Sequence, residues 1–159
     1  MNIPIMMDEL VKELKQATST LQLETPKGVI RAPQVVDGYL PAKNPKDTEV
    51  TEDFPYVIAR YLNDSSNDEG AMAQVKVICG TYSEDDQRGW RDLLNLTNAI
   101  KTYLLAHRLF GKCFSIELPL KREFPEEQPA PEWAGWFTLN ISIPNIQEVD
   151  EDVRRILDC

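Results

Sequence analysis

The side chains able to do chemistry are few, and their spacing rarely favours it. The single histidine, His107, stands beside Arg108 late in a predicted helix. A catalytic imidazole needs a nucleophile to serve and an acid to orient it, and no serine or cysteine lies in a nucleophile motif. A helix-end histidine near the negative pole of the helix dipole is the better reading. Cys79, Cys113 and Cys159 form no C-x-x-C pair and have no paired histidine, which argues against zinc. Their odd number and wide spacing fit free thiols in a reducing cytosol, with Cys79 and Cys113 as small core residues and any reactivity left to Cys159. Carboxylates cluster at Asp64, Asp68 and Glu69, and again at Glu84, Asp85 and Asp86. A divalent-cation loop needs alternating oxygen ligands, a glycine and a distal bidentate glutamate, and residues 64–70 fall short of that pattern. Both clusters read as solvated loops, the first able to meet a basic patch on a neighbouring subunit. The seven glycines are scattered and build no phosphate loop. The expectation is a protein without enzymatic activity, bound metal or cofactor.

Composition points the same way. A length of 159 residues suits one domain with an arm. A hydrophobic share of 42% is enough for a real core. With 26 acidic against 17 basic residues, the formal net charge of -9 argues against recognition of nucleic acid, which needs clustered Lys and Arg. No apolar run approaches a membrane span, and residues 1–10 carry Asp8 and Glu9 without a basic leader, which argues against a secretory signal.

The elements that must position these residues follow from periodicity. Met6, Met7, Leu10, Leu14, Ala17 and Leu21 predict an amphipathic helix over residues 5–20, with Asp8 and Glu9 in its first turn. Turn signals at residues 25–28 and at Asp37-Gly38, around Val29–Ala32 and Val35-Val36, predict a β-hairpin arm, followed by a solvated connector through residue 53. Residues 54–62 and 73–81 read as strands joined by a polar loop at 63–70. A long helix is predicted over 86–110, capped by Ser83 and closed by Gly111, with a stripe of Trp90, Leu93, Leu94, Ile100 and Leu104 widened by Leu96 and Tyr103. Strands follow at 114–120 and 136–143, separated by a Pro-rich connector at 121–133. In the last strand Phe137, Leu139, Ile141 and Ile143 face one way and Trp136, Thr138, Asn140 and Ser142 the other. Residues 145–159 form a short tail with a turn or two of helix at 150–157. The expected fold is α+β: a two-layer sandwich with a mostly antiparallel sheet of about four core strands, two helices on one face and the β-hairpin arm.

Several segments occur together in a recognisable order. They are Arg31-Ala32-Pro33-Gln34-Val35-Val36-Asp37-Gly38-Tyr39-Leu40-Pro41, Phe54-Pro55-Tyr56-Val57-Ile58-Ala59-Arg60, Val75-Lys76-Val77-Ile78-Cys79-Gly80-Thr81-Tyr82, Trp90-Arg91-Asp92-Leu93-Leu94-Asn95-Leu96, residues 114–120, and Glu126-Glu127-Gln128-Pro129. Over residues 29–143 this succession resembles the tail-terminator, or tail-completion, proteins of the head–tail joining region of long-tailed phages and prophages. The resemblance implies a single α/β domain that assembles as a ring, usually a hexamer, on the head-proximal end of the virion's tail tube. Such a ring is put together in the bacterial host cytoplasm, ends tube polymerisation and offers a surface to a head-completion or connector protein. It implies no catalytic residues.

Contacts with a neighbour or the tube are expected from the arm, through Arg31 and Tyr39, and from the acidic loop, through Asp64, Asp68 and Glu69. Trp136 either packs beneath the arm of its own chain or belongs to a subunit interface, where tryptophan is enriched. An alternative of a different class is an acidic module that inhibits or regulates a basic host or phage partner, although its acids gather in loops rather than in a regular stripe.

Overall fold

A computed structural model describes residues 3–41 and 53–144 of the chain. The connector at 42–52, the tail at 145–159 with its predicted helical turns, and Cys159 lie outside the described residues. The protein is α+β, with two helices and a predominance of sheet.

Helix α1 (Ile3–Thr18) buries Met6, Met7, Leu10, Leu14 and Thr18 along one side. It begins earlier than its periodicity suggests, so Asp8 and Glu9 fall in its second turn rather than its first. Two short strands, β1 (Leu23–Glu24) and β2 (Ile30–Arg31), pair around a turn at Thr25–Val29 as a separate small hairpin. Strand β3 (Gln34–Asp37) leaves that hairpin and runs parallel to β4 (Tyr56–Asn67). The expected arm is therefore corrected. Its second half is an edge strand of the main sheet, with Val35 and Val36 in parallel register with Val57 and Ile58 and the Gln34 and Gly38 N–H groups donating to Pro55 O and Ala59 O at 3.1 and 2.8 Å.

The main sheet has six strands in the order β3-β4-β5-β8-β7-β6, adding β5 (Gly70–Tyr82), β6 (Leu109–Phe110), β7 (Phe114–Glu123) and β8 (Glu132–Ile143). It is mixed and curled into a half-barrel, in place of the four antiparallel core strands expected. The two additional strands, β3 and β6, are too short to announce themselves by alternation.

Residues 63–70 are not a loop either. Strands β4 and β5 stay paired out to Asn67↔Gly70, with only Asp68 and Glu69 between them. Pairing of the main chain with β5 overrides the weak strand preference of Asn63-Asp64-Ser65-Ser66. Beyond Arg60 every β4 residue is exposed, while β5 stays paired with β8 out to Ala71↔Ile143, so this part of β4 is an exposed margin of the sheet and only the Asp68-Glu69 turn projects beyond it.

Helix α2 (Trp90–Ala106) is shorter than predicted at both ends. Residues before it are held in a turn, where the Asp85 carboxylate accepts from the main-chain N–H groups of Gln87 at 3.0 Å and Arg88 at 3.1 Å. Ser83 accepts from Asp85 N–H at 3.3 Å and does not cap the helix, whose N-cap is Gly89 without a side-chain bond. At the other end His107 is the C-cap, and its N–H reaches the carbonyls of Tyr103 and Leu104. Gly111, at φ +57°, belongs instead to the β6–β7 loop, next to Lys112 at φ 72°. Two consecutive left-handed residues close a hairpin, not a helix.

The helices share one face of the sheet. Helix α1 lies against β3 and β4, α2 lies against β5, β8 and β7, and the two touch. The buried side of α2 is Leu93, Leu96, Thr97, Ile100 and Leu104, while Trp90 is left exposed. Beneath it sit Val75, Val77, Phe137, Leu139, Ile141 and Ile116, all without exposure. Strand β8 alternates buried and half-buried residues as predicted over 136–143, and the alternation continues back to Glu132, while β7 runs on to Glu123, so both strands take residues expected in the connector at 121–133. In β7 the pairing sets residues 118–120 against residue 139 alone, which pushes Leu118 out to 53% exposure.

The connector after β7 is anchored. Phe124 packs against the core, and the Gln128 side chain both donates to Ala134 O and accepts from Ala134 N–H at 2.9 Å, imitating a strand partner.

Candidate functional site

The helices cover one face of the half-barrel, and none of the side chains on the other face joins the core cluster. Cross-strand pairing sorts that second face into lateral rows. Tyr56, Gly80 and Ala134 form the first, and Ile58, Ile78, Trp136 and Glu123 the next. The third is Arg60, Lys76, Thr138 and Lys121, and the fourth Asn63, Gln74, Asn140 and Glu117. Ser65, Met72, Ser142 and Ser115 complete the face. Neighbouring strands lie about 4.8 Å apart, so the third row spans about 14 Å. An apolar band thus lies beside a line of three cations in a chain whose net charge is -9.

Each cation of that row leans on a named partner. The Arg60 Nε donates to Gly38 O at 3.0 Å, and its guanidinium stacks 4.1 Å from the centre of the Tyr39 ring. The Lys76 ammonium lies 4.5 Å from the Trp136 ring centre. Lys121 meets Glu123 at 2.7 Å, and the Trp136 Nε1 donates to the second Glu123 oxygen at 3.2 Å. Arg60 and Lys76 are direct cross-strand neighbours, an arrangement of like charges that destabilises a sheet.

The Lys121 ammonium holds the Glu123 carboxyl below its ordinary range, helped by the indole N–H and Lys76, and Glu123 in turn raises Lys121. Glu123 has its lower pKa in the folded chain, so the pair's contribution is present above the usual glutamate value of 4.5 and is lost as pH falls through the folded value. For Lys121 the sign is opposite, with stability present below 10.5 and lost on raising pH beyond it. Both side chains are well exposed, so salt screens the effect. A carbon-detected NMR titration should give Glu123 a midpoint below 4.5, with the Trp136 indole N–H signal moving at the same midpoint. Lys121→Ala should bring that midpoint back towards 4.5, and an unshifted midpoint in the wild-type chain would contradict the arrangement.

The residues predicted from sequence are not gathered in one place. Arg31 lies on the exposed β2, where its Nη2 donates to Phe54 O at 2.8 Å. Tyr39, 72% exposed, follows β3 and supports Arg60. Asp64 lies on the exposed margin of β4, opposite Ala73, and accepts from the Tyr61 hydroxyl, which raises the Tyr61 pKa. Asp68 and Glu69 form the tip, where the Glu69 N–H donates to Asn67 Oδ1 at 2.9 Å. Trp136 does occupy the uncovered face, and its polar and ring contacts are with Glu123 and Lys76. Sequence reasoning missed Arg60, Lys76, Lys121 and Glu123. Lys76 carries a signal, its alternation with buried Val75 and Val77, whereas Arg60 follows a run of three buried residues and Lys121 and Glu123 lie among half-buried ones, so no spacing marks them.

His107 is exposed, donates from Nδ1 to Tyr103 O at 2.9 Å and stacks on the Tyr103 ring, so its imidazole serves the end of α2. Cys79 is buried, and burial pushes its thiol up, away from reactivity. Cys79 is a free thiol, as expected, whereas Cys113, half-buried in the β6–β7 loop, is disulfide-bonded, which corrects the expectation of a free thiol there. Among the described residues no group of three His, Cys, Asp or Glu side chains is placed to hold a metal ion, and no helix is long and apolar enough to cross a membrane. No protein-family model and no curated protein matches the chain, so the second face of the sheet is assigned on its own geometry.

Proposed function

We propose that this chain is a structural virion protein that caps the end of a phage tail tube as a ring, usually a hexamer, ending polymerisation and forming the surface for head–tail joining. The observation that carries the reading is the uncovered sheet face, with a half-buried tryptophan set beside a row of cations and an acidic turn, Asp68-Glu69, at the end of the same sheet. Surfaces of this kind recognise partners by shape and charge rather than by chemistry. The succession of motifs over residues 29–143 supplies the phage-tail part of the proposal.

The test uses the purified chain and the tail-tube protein of a long-tailed phage or prophage from the same genome. Tubes grown with the chain present should stop at a limited length and carry a ring at one end in electron micrographs. Tubes of unchanged length, together with no retention of tube protein on the immobilised chain, would overturn the reading. Retention of a host nuclease in place of tube protein would favour the acidic-module alternative, which the net charge of -9 motivates.

A further inference from the structure

We propose that the Arg60–Lys76–Lys121 row of one copy is the docking site for the acidic β4–β5 tip of a second copy. The inference rests on the ring reading and adds the contact that joins neighbours. Its first support is charge complementarity within a single sequence. The apolar and cationic rows together hold three cations and one carboxylate, Glu123, a local balance of +2 in a chain of net charge -9. The tip carries Asp68 and Glu69, with Asp64 on the adjoining exposed margin of β4, and no Lys or Arg stands between residues 61 and 75. Among the described residues no cation forms an ion pair with these three carboxylates.

The second support is reach. Lys76 and Gly70 lie six positions apart on one strand, about 20 Å, so a chain's own tip cannot fold back onto its own row. A second copy's tip is two strands wide, about 5 Å, against a row of about 14 Å. Its carboxylates would give Lys76 and Lys121 charge-assisted hydrogen bonds, and the neighbouring Trp136 indole would supply an apolar floor. Tip and row are different surfaces, so each copy can give one contact and receive another. Head-to-tail repetition of such a contact closes a ring when the rotation permits.

Charge reversal of the full chain, followed by light scattering over a range of concentrations at low salt, tests the docking. One variant combines Lys76→Glu with Lys121→Glu, and the other combines Asp68→Lys with Glu69→Lys. Each alone should weaken self-association by about tenfold or more. An equimolar mixture of the two should restore assembly, because each then offers the other a complementary tip and row; this also shows that both variants are folded. Association that neither reversal weakens would overturn the docking and leave the ring reading standing. A mixture that fails to restore assembly would assign the row a different occupant, and a wild-type chain that stays monomeric throughout would overturn self-docking outright. Loss of tube capping with self-association intact would instead count against the ring's function, which keeps the two failures distinct.

Discussion

Replacing Phe137 by alanine is expected to lower stability by about 3–5 kcal/mol, seen as a fall in melting temperature of about 6–20 °C. The ring is fully buried on the helix-facing side of β8, opposite Val77, and is one of the largest side chains without exposure. Its removal leaves a cavity between the sheet and α2 that the surrounding strands cannot close. The adjacent residue is the control. Trp136 sits one position earlier on the opposite face, half-buried, with a charged side chain on either side. Trp136→Ala should cost less than half as much stability while weakening self-association and tube binding. Equal destabilisation by the two substitutions would mean that the second face is packed as a core and is not a surface for partners.

Gly89→Ala is expected to destabilise the chain by about 1–3 kcal/mol, since Gly89 is the N-cap of α2, where alanine is disfavoured, and the site has no room for a side chain. The added Cβ would lie 2.6 Å from Asp85 O and 2.7 Å from the Trp133 indole nitrogen. Neither neighbour gives way easily. The carbonyl accepts the Gly89 N–H at 2.8 Å, and the buried indole donates to Ser83 O at 3.1 Å. Glycine at this position allows the turn before α2 to close against β8. Urea unfolding followed by tryptophan fluorescence reads the effect, and a stabilised variant would show that the turn relaxes freely.

The predictions that held are those governed by local periodicity. The spacing of Met6, Leu10 and Leu14 determined the buried side of α1. The alternation of Phe137, Leu139, Ile141 and Ile143 determined both faces of β8 and so placed Trp136 on the side away from the core. Burial of an apolar side chain needs no particular partner, only a consistent face, and a face is a property of one segment.

Pairing is different, because it depends on which segments come together. Residues 63–67 read as loop from their side chains, yet become strand because β5 satisfies their main-chain groups. Val35 and Val36 read as part of a free arm, yet become an edge strand because β4 lies alongside them. The same holds for the candidate site. Arg60, Lys76, Thr138 and Lys121 are far apart in the chain, and no spacing relates them. The sequence by itself determined a polar side for Lys76 and Thr138, but left Arg60 on a strand apolar on both faces and read Lys121 as connector. Only the tertiary register of four strands decided that they form one row beside Trp136, since lateral neighbours in a sheet are chosen by hydrogen bonding between strands.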